Sequence, residues 1–246
     1  GHYCQRKKAE DVASELWEGV DKNKDQSYFL SRITQKQLDF ARFPLGALHK
    51  DEVRAIARDL AIPVAEKKDS QGICFLGKVK VPDFLSHFIE NKPGQIVTTD
   101  GKVVGHHQGL HRFTLGQRKG IGVPSNSDNQ FYVVTGKDDE KNQLIVAFES
   151  FTEGTLWGKK YNIESISFFS NYLPDSKMIF LGKARYRDPL VEISYNPIDD
   201  KTAEIIFKTP QRALTPGQVL AIYEGEHLLG SGIYSESNLG RAKLSA

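Results

Sequence analysis

A chain of 246 residues, 39% hydrophobic and 26% charged, has enough apolar material for one large domain or two to three small ones, and it excludes a disordered or fibrous protein. The formal net charge of +2 does not mark a general polyanion binder, so any nucleic-acid surface has to come from local clusters. Only Cys4 and Cys74 are present, which excludes a disulfide framework, and no apolar run approaches the ~18 residues of a membrane helix. With no signal-peptide pattern either, the expected setting is the reducing cytoplasm, without a membrane partner. The chain opens on Gly1 and its only methionine is Met178, so it reads as a processed or excised piece.

Residues 1 to about 77 read as helical. "TQKQLDFARF" places Gln37 three residues after Thr34, a capping-box pattern, and "KDEVRAIARDLAI" sets Val53, Ile56, Ala57 and Leu60 on one helical face behind an acidic first turn. "VPDFLSHFIE" predicts a short helix with Pro82 early in it. From "PGQIVTTDGKVVG" onward the period falls towards 2: "TTDGK" carries the Asp-Gly signal of a tight hairpin, and "FYVVTGKDDEKNQLIVAF" is two β-branched runs across a polar loop. Further strands are expected in "NIESISFF", "MIFLGKARY", "LVEISY", "AEIIF", "VLAIYEG" and "LLGSGIY". Helices followed by strands argue for a multi-domain chain, with boundaries near residues 78 and 155.

Several short motifs invite chemistry. "DKNKDQ", from Asp21, starts like a calcium loop but has Gln26 where glycine belongs and Arg32 where a bidentate glutamate belongs, which leaves a solvated turn with Asp25 capping the next segment. His106 and His107 are adjacent and on a strand point to opposite faces, so no metal site is expected. "GQRKGIG", residues 116 to 122, could cradle a phosphate or be a tight turn at a sheet end. "GKARYRDP" puts Lys183, Arg185 and Arg187 at alternate positions, hence on one strand face with Tyr186 on the other; beside an aromatic ring such a row suits phosphates and a splayed base, and it is otherwise a solvated face. Cys74 lies in "KKDSQGICFLG", a turn with Lys67 and Lys68 nearby, and neighbouring cations favour a reactive thiolate over an inert core thiol.

Taken together, "GHY", "DKNKDQSYFL", "FPLGALHKDEVRAIA", "KKDSQGICFLG", "PGQIVTTDGKVVGHHQGLHRFTLGQRKGIGV", "KARYRDP" and "LTPGQVLAIYEGEHLLGSGIY" resemble, in order and from end to end, the signatures of the tRNA-specific 2-thiouridylases. The resemblance implies a helical C-terminal remnant of an α/β ATP-pyrophosphatase domain over residues 1–77, carrying the cysteine loop. It further implies a small β-rich central domain over 78–154 and an elongation-factor-like C-terminal β-barrel over 155–246. The implied reaction replaces the C2 oxygen of the wobble uridine (U34) of tRNA with sulfur. ATP, with Mg, activates that oxygen, a persulfide on one cysteine attacks C2, and a second cysteine completes release by forming a disulfide.

On this resemblance Cys74 is the persulfide carrier and Gly1 ends the nucleotide pocket. His2, Lys24, Asp25, Gln26, Arg185, Tyr186 and Gln218 are expected at the tRNA, and a sulfur-donor protein is an expected partner. The family's SGGVDS phosphate loop and second catalytic cysteine belong upstream of "GHY", so the chain reads as the last two thirds of the enzyme, inactive alone and without tight ATP binding. Cys4 receives no catalytic role. The competing reading is a non-catalytic tRNA-binding module.

Overall fold

The computed structural model describes residues 2–8, 13–67, 84–85, 87–124, 130–149, 156–171, 174 and 176–237. Gly1, Pro82 and Cys74 lie outside them. In chain order the strands are β1 (Cys4–Lys7), β2 (Glu15–Glu18), β3 (Gly94–Thr98), β4 (Val103–His107), β5 (Tyr132–Asp138), β6 (Gln143–Phe148), β7 (Trp157–Phe168), β8 (Met178–Lys183), β9 (Leu190–Pro197), β10 (Ala203–Arg212), β11 (Val219–Glu224) and β12 (His227–Tyr234); helices α1 (Gln35–Phe40) and α2 (Lys50–Asp59) lie between β2 and β3. The described residues within 1–68, 159–211 and 215–238 form one compact unit, and those within 69–158 and 212–214 form a second.

In the first unit the strand order β12-β11-β8-β9-β10-β7 closes on itself through a β12–β7 pairing, which makes a six-stranded barrel. Period-2 burial builds its lining: Ile193 and Tyr195 on β9, and Ala203, Ile205 and Phe207 on β10, are buried while their neighbours face out. β11 breaks the alternation, with Leu220, Ala221, Ile222 and Tyr223 all fully buried. Both of its faces are covered. Ala221 and Tyr223 belong to a cluster with Cys4, Leu16, Leu38, Phe169 and Leu228, so the N-terminal segment packs on the outside of the barrel. Each fully buried leucine there contributes roughly 1.5–3 kcal/mol.

That packing adds two strands, β1 and β2, to the segment read as helical. β1 and β2 pair antiparallel, and β2 continues onto β12 through Trp17 opposite His227 and Leu16 opposite Leu228. Four-residue strands are too short for a clear period, and the inward face of β2 carries a carboxylate, Glu18, beside Leu16. The two helices do follow their sequence signals. Thr34 and Gln37 form the capping box, and Glu52 accepts the His49 N–H at 2.6 Å. The apolar stripe of α2 is nevertheless largely open, with Ile56 and Leu60 exposed. Gly46, in "FPLGALHKDE", is required by a close approach: a Cβ there would stand 1.8 Å from the carbonyl oxygen of Cys4.

The second unit holds a four-stranded sheet ordered β4-β3-β6-β5, in which β3 and β6 run parallel. Its core joins Ile96, Phe113, Ile121, Val134, Leu144 and Val146. The expected Asp-Gly hairpin connects β3 to β4, with Gly101 at φ +85°, and the β5–β6 hairpin falls where the two β-branched runs predict it. His106 and His107 take opposite faces of β4, exposed and buried respectively.

Candidate nucleic-acid interface

The "DKNKDQ" turn follows β2 and is drawn onto the barrel by its own acid. Asp25 is 6% exposed. One carboxylate oxygen accepts the N–H groups of Gly19 at 3.0 Å and Ser27 at 3.2 Å, and the other accepts the Ser27 hydroxyl at 2.9 Å. Asp25 therefore organises the following 3-10 turn, Ser27–Leu30, as a capping acid does, but from a buried position rather than a solvated one. Gln26 ties the same turn to the N-terminus: its N–H donates to Tyr3 O at 2.9 Å while its side-chain oxygen accepts the Tyr3 N–H at 3.2 Å. His2, exposed, is the next residue along, and the Lys24 N–H donates to Asp21 O at 3.0 Å.

Lys183 meets this turn from the barrel. β8 ends at Lys183, and its ammonium lies 2.7 Å from Glu18 Oε1 and 3.4 Å from Asp25 Oδ2, with the Tyr223 ring 5.2 Å beneath it. The three side chains are 12%, 7% and 5% exposed, so this is a buried ion pair network. The second oxygen of Glu18 takes Lys22 at 3.0 Å, and Lys22 also reaches Glu226 at 2.8 Å. Burial pushes the Glu18 carboxyl up, but the hydrogen bonds and charges of Lys183 and Lys22 outweigh it and hold the group below its ordinary range. Ser27 Oγ lies 3.1 Å from the Tyr223 hydroxyl, so the network continues into the barrel wall.

This geometry corrects the expected row of cations. Lys183 points inward, and Arg185 and Arg187 sit past the strand end in a turn where Arg187 takes φ +70°. The turn presents a different arrangement. Arg185 Nε bonds Asp188 Oδ2 at 3.1 Å, and the Arg187 guanidinium stands 5.5 Å from the Tyr186 ring centre. Tyr186 in turn packs against the 3-10 turn, with ring centroids 4.2 Å from Phe29 and 6.1 Å from Tyr28. Tyr28 donates its hydroxyl to Val219 O at 2.7 Å, next to Gln218, whose side-chain oxygen accepts the Thr215 N–H at 3.2 Å. Burial, then Asp188, push the Tyr28 hydroxyl up to about 12, so it remains a donor.

Segments 2–3, 24–29, 185–188 and 218–219 are thus brought to one part of the first unit by contacts between near neighbours. Of the expected site residues, Asp25 is enclosed, His2 is exposed, and Lys24, Gln26, Arg185, Tyr186 and Gln218 are partly exposed. Gly1 and Cys74 lie outside the described residues. Sequence reasoning missed Phe29, Glu18 and the inward course of Lys183. Phe29 had one usable signal, a large aromatic directly after the polar turn and 52% exposed in the structure.

In the second unit an exposed ring also meets an arginine, Phe131 lying 5.1 Å from the Arg118 guanidinium. In "GQRKGIG" the N–H groups of Gly116 and Gln117 are already bonded to Val134 O and Thr114 O, and Arg118 pairs with Glu149 at 3.3 Å. These two N–H groups are therefore not open to a phosphate. Cys4 is fully buried, and burial followed by the nearby Asp25 charge pushes its thiol up to about 12. No group of three or more His, Cys, Asp or Glu able to hold a metal ion occurs among the described residues.

The parts of the chain match three family models in order: the tRNA methyl transferase HUP domain over residues 1–78, the tRNA methyl transferase PRC-barrel domain over 82–148 and the aminomethyltransferase beta-barrel domain over 159–234. This is a multi-domain protein of HUP, PRC-barrel and β-barrel type. It is similar to the tRNA-specific 2-thiouridylase MnmA of Akkermansia muciniphila, 44% identical over 95% of this chain and 64% of that protein. It is also similar to the proteins of the same name from Listeria monocytogenes, 42% identical over 94% of this chain and 62% of that protein, and Streptococcus thermophilus, 41% over 96% and 64%. The chain belongs to the tRNA-specific 2-thiouridylase family, and it spans slightly less than two thirds of the length of these relatives.

Proposed function

We propose that this chain is the tRNA-engaging and sulfur-carrying part of a uridine 2-sulfurtransferase that thiolates the wobble uridine of tRNA. The observation that carries the reading is the convergence, on one unit of a family member, of an exposed aromatic group with arginines: Phe29 and Tyr186 beside Arg185 and Arg187. Exposed rings accept unstacked bases, and arginines accept phosphates. His2, Lys24, Gln26, Arg185, Tyr186 and Gln218 contact the RNA, while Asp25 contributes by shaping the turn that presents its neighbours. Domain boundaries near residues 78 and 155 accompany this reading, with residues 1–77 as the end of the nucleotide-binding domain.

In the whole enzyme ATP, with Mg, would supply activation of the uridine C2 oxygen as a leaving group, at a site that includes Gly1. On this reading the chain alone is inactive and binds ATP weakly. Cys74 carries the persulfide delivered by a sulfur-donor protein; its terminal sulfur attacks C2 as the activated oxygen leaves, and a second cysteine of the whole enzyme then breaks the S–S bond by forming a disulfide with Cys74. The setting is cytoplasmic; no described helix is long and apolar enough to cross a membrane.

The test is sulfur incorporation into tRNA by an enzyme of the relatives' full length that carries this chain. Cys74→Ser abolishes thiolation and leaves tRNA affinity within a few-fold, because serine keeps the size but holds no transferable sulfur. Retained thiolation would remove Cys74 from the reaction.

A further inference from the structure

One cation bordering the proposed RNA surface does not face it. Lys183 is two residues before Arg185 in the chain, yet its ammonium is turned into the protein between Glu18 at 2.7 Å and Asp25 at 3.4 Å. It stands where two RNA-facing segments meet. Along the backbone it leads directly into the Arg185–Arg187 turn, and through space it binds the acid that folds the Lys24–Gln26 turn. Asp25 satisfies three other donors, all from the same turn and its approach: Gly19 N, Ser27 N and Ser27 Oγ. The backbone of Glu18 is pinned as well, its N–H donating to Glu226 O at 2.9 Å and its carbonyl accepting from Gln5 at 3.0 Å. The ammonium is therefore the polar tie between β8 and a turn that Ser27 and Tyr28 also hold to β11, at the Tyr223 hydroxyl and the Val219 carbonyl. The Phe29–Tyr186 contact joins the same two segments at the surface.

We infer that Lys183 is a positioning residue for RNA binding: its ion pairs with Glu18 and Asp25 hold the 21–29 turn in register with the Arg185–Arg187 turn, and it makes no phosphate contact of its own. The inference rests on the proposed tRNA reading and gives it a physical device. A buried pair of this kind is a weak source of stability but a strong source of geometry, since either partner left alone is an uncompensated charge.

The sign of one effect separates this role from simple electrostatics. Glu18 and Asp25 are negative charges close to a surface that meets a polyanion. If charge alone mattered, neutralising them would strengthen tRNA binding. If they fix the turn through Lys183, neutralising them weakens it.

The experiment measures tRNA affinity of this chain across a salt series, at a temperature well below the unfolding midpoint of every variant. Lys183→Met, Glu18→Gln and Asp25→Asn should each weaken binding by at least ~5-fold, the scale of ordinary coupling between sites. The slope of log affinity against log salt should stay unchanged, whereas losing a phosphate contact would flatten it by ~0.7 to 0.9. Lys183→Arg, which keeps the charge, should recover most of the affinity. Glu18→Gln is nearly isosteric and serves if Lys183→Met does not fold. Unchanged or tighter binding by the acid-neutralised variants, or a flattened slope for Lys183→Met, overturns the positioning role alone. A wild-type chain that binds tRNA no better than an unrelated RNA hairpin overturns the RNA reading together with it.

Discussion

The exposed ring of Phe29 stands 4.2 Å from that of Tyr186 with the planes tilted by 45°, and this contact joins the N-terminal turn to the barrel at the surface. A ring that is 52% exposed contributes little to the core. If it stacks a base, its removal should be felt in binding. Phe29→Ala is expected to weaken tRNA affinity by about 1–3 kcal/mol while moving the melting temperature little. Fluorescence anisotropy with labelled tRNA, beside a thermal melt, checks both halves; full affinity in the variant would mean that the ring is idle surface.

The parts of this arrangement that could be read from the chain are those with local causes. The Thr34–Gln37 box, the α2 helix, the Asp-Gly hairpin and the barrel strands β9 and β10 each follow from spacing within a few residues. What could not be read was set by residues far apart in the chain. Lys183 looks like the first of three alternating cations, and only the arrival of Glu18 and Asp25 at the end of β8 turns it inward. β1 and β2 are too short to announce themselves and exist because β12 offers them an edge. The 21–26 turn looked solvated because its composition is polar, although Asp25 is the buried acid around which it folds.

Thiol chemistry gives a second expectation. Cys4 has no exposed surface, and its thiol is pushed up to about 12, so at pH 8 only about one molecule in ten thousand carries the thiolate. In a Cys74→Ser chain, where Cys4 is the remaining thiol, Ellman's reagent should react negligibly with the native protein and release one equivalent after unfolding in guanidinium. Rapid reaction of the native variant would contradict the packing of β1 against the barrel.

The Glu18 network predicts a pH dependence. Although burial opposes ionisation, Lys183 and Lys22 hold the Glu18 carboxyl below its ordinary value of 4.5. A group lowered on folding stabilises the folded state above its unfolded value, and that contribution disappears as pH falls through the folded one. Wild type should therefore exceed Glu18→Gln by roughly 1–3 kcal/mol at pH 7, the cost of leaving a buried charged donor partly unsatisfied. The gap should narrow steadily below pH 4.5. Urea unfolding of both proteins at neutral and acid pH measures it. A gap that does not change with pH would mean that the carboxylate charge is not what Lys183 and Lys22 hold.

Arg187 offers a test in which stability and function move in opposite directions. Its backbone lies at φ +70°, a region that costs a residue with a side chain roughly 1 kcal/mol and costs glycine almost nothing. An exposed residue in that conformation, with its guanidinium 5.5 Å from the Tyr186 ring, is better explained by what the side chain does than by what the turn needs. Arg187→Gly should leave the melting temperature unchanged or slightly raised, the relief of strain being partly offset by the greater freedom of glycine in the unfolded chain. The same variant should bind tRNA several-fold more weakly, with the salt slope reduced by about 0.7 to 0.9 if one phosphate contact is lost. This is the opposite pattern to Lys183→Met, for which the slope should hold and stability should fall. Equal affinity and slope for Arg187→Gly and wild type would show that the turn tolerates its strained residue without using it on RNA.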